Sequence, residues 1–266
     1  MTTVLKSSFV SLCILTLIGC RSQPTNEDVP TEQVKQIESP QDIWGWDYSG
    51  ERGPQAWGTL NPKYKTCREG QEQSPINLVW QKPTSKRPLK VNYRQGQATI
   101  INAGYTFRLE LTAQSSIEFR GEHFTLEKIE FRTPSEHTLS EKSQPMEIQF
   151  YHRSSNGLKQ VVMAAFATTG TDSQWLEMLI EISSSQPKFQ SSNSFPFDPS
   201  QLVPDRLTFY QYSGSLTHPP CLEGVQWVVL NTPIKMGVQQ LEKLQSLFGA
   251  NNRPTQPLNN RKITNY

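Results

Sequence analysis

Polar and apolar residues alternate along Ala98–Asn102, Thr106–Leu111, Ser116–Arg120 and Glu147–Tyr151, and several of the apolar positions are β-branched or aromatic. A period of two puts successive side chains on opposite faces, so each segment predicts a strand with one buried face. Lys159–Thr168 and Gly224–Leu230 are more continuously apolar, as expected of strands covered on both sides. Helical spacing recurs only over Trp175–Ile182 and Val238–Phe248. No internal repeat and no second shift of composition interrupts the pattern. It predicts one β-rich domain over about residues 43–266, built on a large central sheet and opening on an aromatic cluster at Trp44, Trp46, Tyr48 and Trp57.

The residues before this body follow different rules. Lys6 is the one charge in residues 1–19, and Ser8 leads into an apolar run from Phe9 to Gly19. That run is too short to span a bilayer as a helix and fits the apolar centre of a signal peptide. It ends in Leu17-Ile18-Gly19-Cys20, which resembles the lipobox of bacterial lipoproteins. The resemblance implies that residues 1–19 leave with Cys13 and that Cys20 becomes a diacylglycerol-bearing first residue. An ordinary secretory signal with an incidental cysteine is the alternative. Arg21, where an aspartate would favour inner-membrane retention, directs the expectation to the outer membrane, facing periplasm or surface. Residues 20–42 are polar, contain three prolines and no aromatic residue, and read as a tether from that lipid anchor.

Composition narrows the classes. With 35% hydrophobic residues and a mean hydropathy of −0.57 the chain is no multi-span membrane protein, and 10% aromatic with 19% charged residues argues against disorder. Lys and Arg number 26 against 24 Asp and Glu, with no basic stripe, so no nucleic-acid partner is expected. Of the four cysteines, Cys67 and Cys221 remain after the signal region is set aside. In an exported protein such a pair is most simply a disulfide, two independent thiols being the alternative.

Several segments then converge. They are Trp44-Gly45-Trp46, Gly53-Pro54-Gln55-Ala56-Trp57, Gln73-Ser74-Pro75-Ile76-Asn77-Leu78 and Pro134-Ser135-Glu136-His137-Thr138. Further on come Tyr212 to Cys221 with its Leu216-Thr217-His218-Pro219-Pro220 core, Trp227, and Asn251-Asn252-Arg253-Pro254. Their order and spacing closely resemble the α-class carbonic anhydrases from Trp44 to about Lys262, and Cys67 and Cys221 fall where exported members form a disulfide. The resemblance implies a mainly β single domain with a few short helices, around a mostly antiparallel ten-stranded sheet with a conical cleft reaching its centre. In active members the cleft ends in a zinc ion on three histidines, whose bound water is activated to attack CO2.

At the positions that match those ligands this chain carries Glu130, Arg132 and Gln149. Arginine offers no lone pair to a metal and stays protonated. The proton-relay histidine is matched by Tyr105, a poor shuttle at neutral pH. Supporting positions persist: Glu136 and Thr217 match the pair that orients the zinc-bound hydroxide, and Glu147 matches the acid behind the third ligand. Val162, Leu216, Val225 and Trp227 are the expected apolar wall of the cleft. His218 is the one histidine expected to line it, while His123 is expected at the surface, His137 inside, and His152 off the ligand face by strand parity.

The reading is a related protein of the catalytically inactive kind, with no cofactor expected, acting as a binding or scaffolding module. Arg132 fills the metal's place, paired with Glu130 and within reach of Glu136 or Glu147. An unidentified protein or a small anion is the expected partner. The alternative is a carbonate dehydratase using zinc at an atypical site. A metal-free esterase on Thr217 and His218 lacks an oriented acid–base–nucleophile trio. A purely structural envelope protein is the third possibility.

Overall fold

The computed structural model describes residues 45–84, 89–112 and 114–266. The signal region 1–19, Cys20, the tether 20–42 and Trp44 lie outside the described residues. No helix among the described residues is long and apolar enough to cross a membrane.

Among the described residues fifteen strands follow in chain order: β1 (Asn77–Leu78), β2 (Leu89–Asn92), β3 (Gly96–Asn102), β4 (Phe107–Leu111), β5 (Ser116–Phe119), β6 (Glu122–Arg132), β7 (Thr138–Leu139), β8 (Lys142–Ser143), β9 (Met146–Ser154), β10 (Gln160–Thr169), β11 (Phe195–Phe197), β12 (Phe209–Ser215), β13 (Glu223–Leu230), β14 (Ile234–Met236) and β15 (Thr264–Asn265). Four helices join them: α1 (Trp57–Leu60), α2 (Thr66–Glu69), α3 (Gln174–Ser184) and α4 (Val238–Phe248). The main sheet runs β11-β3-β4-β6-β9-β10-β13-β12-β15, with β14 beside β10 and the β2–β5 pair joined to β6. That makes twelve strands rather than ten, because short edge pairings such as the two-residue β15 join the ladder. Pairing is mostly antiparallel, with β10 parallel to both β13 and β14. β1, β7 and β8 form a separate small sheet.

Strand parity divides the central sheet into two faces. Met146, Ile148 and Phe150 of β9 and Val161, Met163 and Ala165 of β10 point one way, into a core covered by Leu176, Leu179 and Ile180 of α3 and Leu241 and Leu244 of α4. Glu147, Gln149 and Tyr151, with Val162, Ala164 and Phe166, point the other way. The alternating and continuous runs thus become β3, β4, β5, β9, β10 and β13, and both helical segments become α3 and α4.

β6 is the long strand that alternation does not reveal. Phe124 and Leu126 face the core, yet so do Ile129 and Phe131, which are out of phase with them. The register against β9 slips between Leu126 and Lys128, leaving Glu127 as the extra residue of a bulge. Beyond it the parity is inverted, so Lys128, Glu130 and Arg132 all point away from the core onto the face shared by Gln149 and Tyr151. One inserted residue delivers three charged side chains to the same interior spot.

At one edge of this face the chain is pinned by a Cys67–Cys221 disulfide, with Cα atoms 5.0 Å apart. Trp46, Trp57 and Tyr105 pack against it in a third, aromatic cluster.

Candidate functional site

Glu130 is the electrostatic centre of the interior face. Its carboxylate accepts from Lys128 Nζ at 2.6 Å, Arg132 Nη2 at 2.8 Å and Arg108 Nε at 3.2 Å. Cross-strand register produces this, since Arg108 of β4 sits directly opposite Glu130 and Lys128 lies two residues along the same strand. Burial alone would raise the Glu130 carboxyl, but the three cations together hold it well below the usual carboxylate range. Lys128 is pushed down by its own burial, and its ammonium rests 4.3 Å from the centre of the Tyr151 ring.

Arg132 is wholly buried. Besides Glu130, its guanidinium donates to the Phe131 carbonyl at 3.1 Å, and its Nε lies 3.4 Å from Glu136 Oε2. Burial works against its charge, yet the surrounding phenols and carboxylates keep it firmly protonated. Of the two acids expected within its reach, Glu136 is paired with it and Glu147 is not. Glu147 is claimed by His137 Nδ1 at 2.9 Å and by the backbone N–H groups of Glu136 and His137. These partners outweigh burial and lower its carboxyl, whereas burial raises that of Glu136.

Gln149 bridges the two acids, donating through Nε2 to Glu136 Oε2 at 2.7 Å and Glu147 Oε1 at 2.9 Å, while its carbonyl oxygen accepts from Tyr151 at 2.8 Å. Every polar atom of the amide is therefore engaged. Glu136 also accepts from the Arg253 backbone N–H at 2.9 Å. Arg253 donates onward to Gln73 Oε1 and to the carbonyls of Ser74 and Cys67. Asn251 donates to the carbonyls of Tyr105 and Phe131 and accepts from the Thr133 N–H. The Asn-Asn-Arg-Pro motif thus serves as a clamp behind the site.

The remaining sequence-derived positions separate into two groups. Leu216, His218 and Val225 line a cavity of about 290 Å³ together with Lys128, Tyr151, Leu158 and Leu222. Val162 and Trp227 are fully buried and Tyr105 nearly so, and none of the three lines that cavity. Tyr151, opposite Val162 in register, packs in one buried cluster with Val162 and Trp227, and Lys128 caps its ring. Thr217 is buried with its hydroxyl directed at the Glu136 carboxyl.

His123 is exposed. His137 is interior, with Nε2 2.7 Å from the Tyr212 hydroxyl, which donates in turn to Ser74 Oγ at 2.8 Å. His152 faces away from Arg132, its ring between Tyr93 and the Val161 carbonyl, and burial lowers it to about 3. The stacked Trp46 ring lies 6.1 Å from His218, which burial lowers to about 4. Among the described residues no group of three or more His, Cys, Asp or Glu is arranged to hold a metal ion.

Sequence reasoning did not place Arg108, Lys128, Tyr151 or Tyr48 here. Parity was the available signal for two of them, because Lys128 lies two residues before Glu130 and Tyr151 two after Gln149. Arg108 and Tyr48 come from other elements and leave no local trace.

Known proteins share this architecture. Residues 52–266 match the family model described as eukaryotic-type carbonic anhydrase. A carbonic anhydrase of Klebsiella pneumoniae is 37% identical over 221 residues, covering 82% of this chain and 89% of that protein. The α-carbonic anhydrase of Thermovibrio ammonificans, solved with sulfanilamide, superposes with a TM-score of 0.77 at 36% identity, covering 82% of this chain and 98% of its own. A dioscorin structure complexed with ascorbate matches with a TM-score of 0.75 at 28% identity, over 83% and 97% of the two chains.

Proposed function

This chain belongs to the eukaryotic-type carbonic anhydrase family, and we propose that it is a member without metal chemistry, serving as a binding or scaffolding module of the bacterial cell envelope. The observation that carries the proposal is the fully buried Arg132 guanidinium, held 2.8 Å from Glu130 and 3.4 Å from Glu136. Family resemblance assigns zinc ligands to Glu130, Arg132 and Gln149. That donor set does not fit the metal. Arg132 has no lone pair to give, and its permanent charge repels a cation. Glu130 is committed to three cations, and the Gln149 carbonyl oxygen accepts from Tyr151.

The same contacts account for what these residues do instead. Arg132 and Glu130 neutralise one another where an unpaired buried charge would cost several kcal/mol. Gln149 satisfies both neighbouring carboxylates without adding charge. The surrounding fold stays supported, while the side chains that would organise hydration are turned to structural use. Dioscorin, a structural relative described in complex with ascorbate, supports the idea that this fold serves small-molecule binding.

The setting proposed for the module is the outer membrane, through a lipid on Cys20 and the tether of residues 20–42. Stopped-flow CO2 hydration by the purified chain, with and without added zinc, tests the proposal. The expected rate equals the uncatalysed background in both conditions. A zinc-dependent rate far above background would establish the carbonate dehydratase reading in its place.

A further inference from the structure

The layer that covers the sheet on the side away from Arg132 carries a cavity of its own. It measures about 270 Å³ and is framed by the first turns of α3, by β11 and its following turn, and by the loop between β2 and β3. Helical spacing sets Gln174, Trp175 and Met178 on one side of α3, where Trp175 and Met178 are half-buried against the core. Pro196 and Phe197 of β11 complete the apolar lining.

The polar lining comes from three separate elements. Phe197 pairs with Gly96, so the next step of that antiparallel register brings Gln95 alongside Asp198. Asp198 Oδ1 accepts from the Ser200 N–H at 2.9 Å, which holds the carboxylate at the start of the short turn Pro199–Leu202 that carries Gln201. Gln174 opens α3, and the preceding Ser173 is tied to Gln240 of α4 by two hydrogen bonds of 2.9 and 3.0 Å. The backbone beneath each group is thus held. The side-chain amides of Gln95, Gln174 and Gln201 and the Trp175 indole N–H nevertheless have no hydrogen-bonding partner among the described residues.

This lining selects a class of ligand. Asp198 borders the cavity and no lysine, arginine or histidine does, so an anion is disfavoured. Each amide both donates and accepts, and the carboxylate accepts. A ligand that satisfies them all carries several groups able to do both, which is the chemistry of hydroxyls. The indole, thioether and proline ring ask at the same time for a flat apolar face. A pyranose ring combines the two, with hydroxyls around its rim and C–H bonds on its face.

We propose that this cavity binds one neutral pyranose unit of a glycan, its C–H face on Trp175 and its hydroxyls on Gln95, Gln174, Asp198 and Gln201. The site stands apart from the metal question, because the central sheet lies between it and Arg132. Neither CO2 hydration nor bound zinc would bear on it.

NMR titration of the nitrogen-labelled full chain with methyl glucoside, maltotriose, N-acetylglucosamine and chitotriose, against glucuronate, tests it. At least one neutral sugar should shift the Trp175 indole and Gln174 amide signals saturably, and glucuronate should bind more weakly than methyl glucoside. Gln174→Ala and Gln201→Ala, both at exposed positions, should each weaken binding roughly threefold or more, by loss of one hydrogen-bonding side chain. Trp175→Ala should abolish it; because that ring also packs on the core, the two glutamine variants decide the matter if this one fails to fold. A preference for the glucosides assigns the source to a glucan, and a preference for the N-acetyl sugars to an amino-sugar glycan; both uphold the site. No saturable shift with any of the four neutral sugars, shifts confined to other residues, glucuronate bound as tightly as methyl glucoside, or full affinity in both glutamine variants would overturn it.

Discussion

Glu130→Gln should cost about 3–5 kcal/mol of folding stability, the range for breaking a buried ion pair by removing one partner. The substitution keeps the size of the side chain and removes its charge. Arg132 then keeps Glu136 as its carboxylate partner and Arg108 keeps the half-exposed Glu110, while Lys128 has no acid left beside it among the described residues. The new amide nitrogen has no acceptor among three cations, so one polar contact becomes repulsive as well. Because Lys128 and Arg108 are partly exposed, they can swing toward water, and Arg132 cannot. The loss should therefore concentrate on Arg132, and Lys128→Met in the Glu130→Gln background should recover part of it. Urea unfolding with the disulfide intact measures both. A Glu130→Gln change below about 1 kcal/mol would mean that the cluster is solvated like a surface pair.

Acid should unfold the protein earlier than carboxylate titration alone would. His152 is held near 3 and His218 near 4 by burial, against an ordinary 6.5. Both are neutral in the folded chain and become protonated on unfolding below pH 6.5. Since their folded values are depressed, the unfolded state binds more protons, and stability falls as pH drops from 6.5 toward those values. By pH 4.5 the loss reaches about 2–3 kcal/mol for His152, and less for the half-buried His218. Glu136, whose carboxyl is raised, works in the opposite sense by favouring the folded state as it protonates. Glu130 and Glu147, both lowered, add their losses only below about pH 4.5. Chemical denaturation between pH 7 and 4.5 should thus show a slope that His152→Gln reduces by one proton. An unaltered slope in His152→Gln would show that the ring is not buried neutral.

Much of this architecture was legible where periodicity is clean. β3, β4, β5, β9, β10 and β13 follow from alternation or continuous apolarity, and α3 and α4 from helical spacing. β6 was not, for a reason that bears on the site. Its bulge at Glu127 shifts the phase midway, so that Lys128, Glu130 and Arg132 turn inward while Glu122 and Glu127 stay exposed, a split that simple alternation does not show. β12, with Gln, Ser and Gly among its residues, shows no clean period, and its strand character rests on its pairing with β13 and β15. The Glu130–Arg132 pair was accessible from i and i+2 parity alone. That Glu147 would be claimed by His137 was not, because the competition is settled by backbone N–H groups whose direction only the fold determines. Tyr151 was likewise not legible as part of the interior face, although it lies two residues after Gln149. Its ring packs with Val162 and Trp227 and lines the cavity beside Lys128 and His218.

The claim on which the rest depends is that a guanidinium, not a metal, occupies the centre of this family member. Zinc per chain, determined by mass spectrometry of elements after refolding with zinc and dialysis against a weak chelator, tests it most directly. The wild-type chain should retain far less than one zinc, whereas the combined Glu130→His, Arg132→His and Gln149→His variant should approach one. One zinc per wild-type chain, lost when Glu130 or Gln149 is replaced by alanine, would contradict the account.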